Sequence, residues 1–309
     1  MIPRASTLAG ILAHATVVLL FPPLLLGIIN KTKAAFGGRV GPPLLQPYFD
    51  LARLFRKGMV VSTTTSWVFR AGPVVSLSTV LVAALLLPMG GGSAPLSFAG
   101  DFVLFAYLLG LGRFFTVLAA LDTGSAFEGM GAAREATFSA LAEPALFMGL
   151  VALVRMSGST ALSRMLAVGA PGTWGDSGAS LVLVVASLIV VLLAENCRIP
   201  FDDPNTHLEL TMIHEVMVLD HSGPLFGMIQ YGASIKLLVL GSLIVNVALP
   251  LDGADRLLSW PAFCLGMAAL AVGVGVIEST MARQRLTQVP RLLVGACLLS
   301  GFSIVLLAR

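Results

Sequence analysis

Of the chain's 309 residues, 57% are apolar and only 11% are charged, where ordinary soluble domains carry about 25% charged residues. With a mean hydropathy of +0.93 and a formal charge of +3, this composition excludes a soluble globular enzyme, a disordered chain and a nucleic-acid-binding domain. The 32 glycines, beside 7% aromatics, suit close helix packing in lipid. The expected fold class is all-α: one transmembrane domain over 1–309.

A helix needs about 20 apolar residues to cross a bilayer. Long apolar runs predict eight spans, near 7–29, 67–88, 100–121, 132–155, 178–195, 224–248, 258–280 and 290–308. The first has Arg4 before it, like a signal peptide, but its apolar stretch is too long, no A-x-A site follows and seven more spans come after. After it, the loop 30–66 carries GGRVGPPLLQPYFDLARLFRKG. Pro42, Pro43 and Pro47 stiffen its start, and Tyr48–Lys57 predicts an amphipathic helix with Phe49, Leu51, Leu54 and Phe55 set against Asp50, Arg53, Arg56 and Lys57. Such a helix either lies on anionic headgroups or docks a soluble partner, and the sequence leaves both open.

The third span holds Arg113 deep within it, and the sixth holds Lys236. The segment 122–131 reads as a connecting loop. The fourth span then opens with GAAREATFSALAEPAL, which puts Arg134 and Glu135 near its cytoplasmic end and Glu143 about two turns deeper, beside Pro144. A carboxylate at that depth is expensive and marks function by default. Pairing with Arg113 or Lys236 is the plain structural alternative, and the two readings are compatible.

The loop 196–223 follows the fifth span. From Ala194 to Pro224 the chain reads AENCRIPFDDPNTHLELTMIHEVMVLDHSGP, with six of the sixteen acids (Glu195, Asp202, Asp203, Glu209, Glu215, Asp220) and three of the four histidines. Pro200 and Pro204 end the span, and Asn205 or Thr206 is placed to cap a short helix running towards Leu219. On that helix His207, His214 and His221 fall seven apart, about 10 Å per step, too far to share one metal ion. Because its acids alternate with apolar residues, several are expected at packed or membrane-level surfaces, where carboxylates hold and pass protons. Proton relay and partner docking both remain open for this loop.

Charges along the chain also predict orientation. Twelve Lys and Arg lie on the side of the four charged loops and five on the other, Arg4, Arg155, Arg164, Arg256 and Arg309. The positive-inside bias places both termini outside and the charged loops in the cytoplasm. No GxxxxGK[ST] occurs, and the GxG triplets at Gly110, Gly129 and Gly273 lack the later spacing of a nucleotide site. Cys197, Cys264 and Cys297 show no CxxC spacing. No cofactor and no metal are expected within this chain, and no nucleophile–base motif marks it as a catalyst.

Three strings carry a family resemblance. GRVGPPLLQPYFDLARLFRKG is similar to RxGPxxxQPxxDxxKL, LDTGSAFEGMGAARE to LDTGSPFxxxGASRE, and the 194–223 stretch to AExxRxPFDxPEAExEL…EYSG. All belong to the subunit 1 family of respiratory complex I and membrane-bound [NiFe] hydrogenases. The resemblance covers nearly the whole chain in order, and the second string resembles the formate hydrogenlyase and hydrogenase-4 branch. It implies eight spans and a subunit that anchors an electron-transfer arm, docks it through its cytoplasmic loops and links redox chemistry to proton or sodium translocation.

Carried over by position, Arg39, Gly41, Pro42, Gln46 and Asp50 match the first motif, Glu135 and Glu143 fall in the fourth-helix block, and Glu195, Arg198, Pro200, Phe201, Asp202, Pro204 and Glu209 match the third. With the residue reading, the expected relay and coupling set is Glu135, Glu143, Glu195, Asp202, Glu209, Glu215, Asp220, Arg113, Arg134, Arg198 and Lys236. The expected docking set is Arg39, Gln46, Asp50, Arg53 and Phe201. Three departures stand out: Pro204-Asn205-Thr206-His207 replaces PEAE, the stretch from Glu209 to Ser222-Gly223 is longer than the usual form by close to one helical turn, and Asp220-His221 replaces the EY before Ser222-Gly223. All fit a branch in which protons at a [NiFe] centre accept the electrons.

The resemblance implies hydrogenase large and small (iron–sulfur) subunits, a ferredoxin-like subunit and antiporter-like membrane subunits as partners, with the [NiFe] centre and iron–sulfur clusters held by them. It also implies the cytoplasmic (inner) membrane of a bacterium or archaeon. Two rivals are the quinone-chamber subunit of a complex I-like dehydrogenase and a transporter acting alone. Neither paired broken helices nor an inverted repeat supports the latter.

Overall fold

The structure, a computed structural model, describes residues 8–169, 171–202, 212–249 and 256–308. All regular structure among them is helical: α1 (Leu8–Leu20), α2 (Pro22–Phe36), α3 (Gln46–Arg56), α4 (Trp67–Leu85), α5 (Asp101–Asp122), α6 (Ala126–Ser157), α7 (Leu162–Met165), α8 (Pro171–Glu195), α9 (Gly223–Ala248), α10 (Arg256–Thr280) and α11 (Val289–Leu306). Seven helices are long and apolar enough to cross a membrane, and α1 with α2 makes an eighth, bent by 46°. The chain is a polytopic membrane protein. In α9, 72% of the spanning window is buried, against 28–44% in the other long helices. It is the central post, with α2, α3, α4, α8 and α10 packed on it.

The bend in the first span, expected as one continuous helix, comes from Pro22 and Pro23. Neither has an N–H, so the carbonyls of Val18 and Leu19 lose their helical donors. Leu24 N–H turns to Phe21 O at 3.1 Å, which frees Leu20 O as well. Two tyrosines satisfy the loose ends: the Tyr231 hydroxyl, from α9, donates to Leu19 O at 2.7 Å, and the Tyr48 hydroxyl, from α3, donates to Leu20 O. The amphipathic α3 is thereby tied to the membrane bundle. Its Leu54 and Phe55 lie against Gly227 of α9.

Two expected boundaries move. Helix α2 runs on to Phe36, into the segment read as loop, and α6 begins at Ala126 rather than near 132. The glycines of 122–131 suggest a loop, but tertiary packing overrides them. Glu128 is fully buried, and its Oε1 accepts the Asp220 N–H at 3.0 Å. At 32 residues, α6 is about 48 Å long, more than the roughly 30 Å hydrocarbon core of a bilayer. Asp122, at the end of α5, accepts from Ser66 N–H and Phe69 N–H at 2.7 and 3.2 Å, capping the start of α4.

The helix expected to run from Asn205 or Thr206 to Leu219 does not form over its described part. Residues 212–214 are non-helical, and Glu215–Val218 is a single 3-10 turn. The backbone finds partners elsewhere: the N–H groups of Ile213 and His214 donate to Asp202 Oδ2 at 2.9 and 3.2 Å. Gly131 of α6 meets Val216 and Ile213 so closely that a Cβ there would lie 2.9 Å from Ile213 O. His221 stacks on Phe69, ring centroids 4.0 Å apart, away from the surroundings of His214. His207 and Glu209 lie outside the described residues.

Helices α4 and α5 approach through glycine, as membrane helices do. A Cβ on Gly72 would sit 2.6 Å from the Ala119 Cβ, which has no rotamer to escape into. Gly72→Leu is expected to cost about 1–3 kcal/mol by overpacking, read as a lower thermal midpoint of the solubilised protein. Gly129→Ala, where a Cβ meets nothing within 4 Å, should leave the midpoint unchanged or raise it.

Candidate functional site

Four helices bring charges into one series, buried at its centre. Arg113 comes from α5, Glu135 and Glu143 from α6, Glu195 from the end of α8 and Lys236 from α9. The Arg113 guanidinium donates from Nη1 to Glu143 at 2.6 Å and from Nη2 to Glu195, and its Nε lies 3.5 Å from Glu135. Lys236 Nζ reaches the other Glu195 oxygen at 2.7 Å. Arg113 and Glu195 are buried, a position that ions tolerate only when paired and hydrogen-bonded. Three carboxylates face two cations, an excess of one negative charge when all are ionised. Glu143, expected to be buried, is instead 48% exposed on the flank of the bundle.

A second cluster ties the series to the first span. Glu278 of α10, with no side-chain exposure, binds Lys33 of α2 at 2.7 Å and Arg198 at 3.3 Å. Arg283 pairs with Asp202 at 2.9 Å. Arg134 donates to Met212 O at 2.7 Å, holding the segment before the 3-10 turn.

The turn after α8 closes as a full Schellman motif: Cys197 N–H bonds Ala194 O at 3.1 Å and Arg198 N–H bonds Leu193 O at 2.9 Å. Cys197 holds the left-handed position of that motif, φ 50°, where glycine is usual. Its sulfur, a Glu135 oxygen and a His214 ring nitrogen lie within 4.8 Å of one another. Beside them is a cavity of about 60 Å³, also lined by Arg113, Glu195 and Lys236. Burial, with Lys236 nearby, lowers the His214 pKa to about 4. Burial and the surrounding acids push the Cys197 thiol well up.

Of the expected relay residues, Arg113, Glu135, Glu143, Glu195 and Lys236 meet directly. Arg134, Arg198 and Asp202 form the surrounding shell. Glu215 lines a separate cavity of about 370 Å³ between α2, α3 and α9, and Asp220 is exposed. Of the expected docking residues, Arg39 is exposed, Asp50 accepts from Gln46 and Arg53 at 3.1 and 3.0 Å on α3, and Phe201 is only 3% exposed. The Phe201 ring belongs to the core and offers no open docking surface. Lys33, Cys197, His214, Glu278 and Arg283 join the site although the sequence pattern marks none of them for the relay. Glu278 had a signal: it is a carboxylate inside an apolar span, like Glu143.

Fold and site together define a multi-span helical membrane protein whose polar chemistry is a charge series buried at its centre. The chain belongs to the NADH dehydrogenase family, that of complex I subunit 1, whose profile matches residues 9–308. It is 34% identical to hydrogenase-4 component C of Escherichia coli over 306 residues, 96% of this chain and 93% of that protein. It is also 34% identical to formate hydrogenlyase subunit 4 of Escherichia coli over 288 residues, 91% and 92% of the two chains. An NADH-quinone oxidoreductase subunit from Rubrobacter xylanophilus is 28% identical over 194 residues, covering 62% of this chain and 58% of that one. A chain in the structure of the membrane-bound sulfane sulfur reductase, an archaeal respiratory membrane complex, shares the fold with a TM-score of 0.83 at 20% identity, covering 96% of this chain and 99% of that chain.

Replacing Arg113 by Met removes the cation shared by Glu135, Glu143 and Glu195 and leaves Glu195 with Lys236. It is expected to cost about 3–5 kcal/mol, as removing one partner of a buried ion pair does, measured as the unfolding midpoint of the solubilised protein. Arg53→Ala, which breaks an exposed pair with Asp50, should cost under about 1 kcal/mol.

Proposed function

We propose that this chain is the membrane-anchor and coupling subunit of a complex I-like, energy-converting [NiFe] hydrogenase. The observation that carries the reading is the series Lys236–Glu195–Arg113–Glu143, with Glu135 beside it. It runs from a cavity under the 212–218 segment to a half-exposed carboxylate on the membrane flank. A carboxylate left half-open at membrane level fits a neighbouring membrane subunit better than lipid. The one-carboxylate excess gives the series a place for a mobile proton.

The names of the two 34% relatives support the hydrogenase assignment. The [NiFe] centre and iron–sulfur clusters belong to partner subunits. A cubane cluster needs four cysteine ligands, and this chain has three, set apart in the turn after α8, in α10 and in α11. Exposed Arg39 and Arg53, with half-buried Asp50, form the docking face for the hydrogenase large and small subunits and a ferredoxin-like subunit. Antiporter-like subunits cover the Glu143 flank. The charge bias supports a docking face in the cytoplasm with both termini outside, in the inner membrane of a bacterium or archaeon.

The 370 Å³ cavity lined by Leu26, Asn30, Pro47, Asp50, Arg198 and Glu215 favours a second reading, a quinone-chamber subunit of a dehydrogenase. A purified complex that lacked nickel and reduced quinone would establish it in place of the first.

Two variants test the leading reading. Glu143→Gln keeps shape and a hydrogen bond to Arg113 but removes the titratable group. It should abolish most redox-driven gradient formation in inverted vesicles while subunit assembly stays at the wild-type level, and an undiminished gradient would sink the coupling role. Arg53→Glu reverses an exposed docking charge and should move the hydrogenase subunits from washed membranes into the supernatant. Their full retention would leave α3 as a lipid-surface helix.

A further inference from the structure

The group formed by Glu135, Cys197 and His214 differs in kind from the charge series beside it. It offers one carboxylate oxygen, one sulfur and one imidazole nitrogen, contributed by α6, by the turn after α8 and by the segment before the 3-10 turn. We propose that these three side chains form a binding site for a divalent metal ion of zinc type, a structural ion that clasps the three elements together. This departs from the expectation that the chain holds no metal. Sequence spacing did not reveal it because each donor comes from a different element.

Four observations carry the site. First, the donors are already gathered. Tetrahedral zinc, with bonds of about 2.0–2.3 Å, sets its ligands roughly 3.5 Å apart, and these three atoms lie within 4.8 Å. A little over an ångström of side-chain adjustment completes the set.

Second, His214 Nδ1 is enclosed and meets no hydrogen-bond partner among the described residues. A buried ring nitrogen without a partner is costly, and a metal ion supplies one. Neutral imidazole is the form that ligates.

Third, the Glu135 carboxylate is the loosest member of the Arg113 group, at 3.5 Å from Nε. Arg113 is engaged at close range by Glu143 and Glu195, and Lys236 by Glu195. The nearby cations are therefore already answered by other carboxylates.

Fourth, the 60 Å³ cavity has room for a few waters, enough to fill the fourth coordination position. Mixed sulfur, nitrogen and oxygen donors suit zinc better than magnesium or calcium, which take oxygen ligands. Binding replaces the Cys197 thiol proton: the sulfur–hydrogen bond breaks, the sulfur–metal bond forms, and the proton leaves through the cavity water. Nothing is oxidised or reduced.

The intact membrane complex, purified in detergent and equilibrated with limiting Zn²⁺, provides the test. Elemental mass spectrometry should find about one more zinc per complex in wild type than in Cys197→Ser and His214→Gln. Cys264→Ser, which changes a thiol in α10, should match wild type. X-ray absorption at the zinc edge of the wild-type complex should show one sulfur neighbour among nitrogen and oxygen ligands. That reading stands on its own if either variant fails to assemble. Equal zinc in wild type and both variants, or a zinc edge with no such sulfur, overturns the proposal. Because neither readout is ion translocation or hydrogenase activity, a negative result here leaves the coupling proposal untouched.

Discussion

A guanidinium inside an apolar helix bundle dictates much of what surrounds it. Arg113 cannot be left dry and alone, since the desolvation of an ion costs several kcal/mol even after relaxation. Its planar fork presents donors in several directions, and carboxylates from α6 and α8 occupy them. One residue of α5 thus fixes the rotation of α6 and the end point of α8. Lys236 adds α9 by sharing Glu195. Lipid provides little hydrophobic drive between helices, so this charge group supplies the orientation that apolar packing alone leaves free.

The same logic operates a second time at Glu278. Its carboxylate has Lys33 on one side and Arg198 on the other, which joins the bent first span to α10 and to the turn after α8. The bend is held independently by the two tyrosine hydroxyls on Leu19 and Leu20. A proline pair opens the helix, freed carbonyls need donors, and the donors come from α3 and α9. Position on the charged face therefore follows from backbone groups that must be satisfied in lipid.

How much of this was legible in the sequence depends on the range of the interaction. Span count and the amphipathic α3 come from composition and local periodicity, and these were readable; the half-exposed position of Glu143 was not. The pairing of Glu195 with both Arg113 and Lys236 was not, because it joins residues 82 apart on the Arg113 side. Helix periodicity also misled over the described residues 212–219. The histidines of the 196–223 loop recur seven apart, yet Asp202 captures the N–H groups of Ile213 and His214. Conversely, the glycines near 124–131 read as loop although Glu128 and Gly131 are packed inside α6. In both places long-range hydrogen bonds outweigh local propensity.

The segment from Met212 to Ser222 is gripped at each end by side chains with charge. Arg134 holds Met212 O, Asp202 holds the Ile213 and His214 N–H groups, and Glu128 holds the Asp220 N–H. Ser222 then hydrogen-bonds the backbone of Val60, in the loop that leads from α3 to α4. Hydrogen bonds to a charged acceptor are about twice as strong as those to a neutral one. Neutralising Asp202 or Glu128 therefore loosens the segment at a defined point, and moving the segment changes what those carboxylates experience. His214 and Gly131 carry the connection inward, since the segment lies on α6 a single turn of helix from Glu135. The charged face and the membrane-level series are parts of one electrostatic unit, joined by backbone amides rather than by a chain of side chains alone.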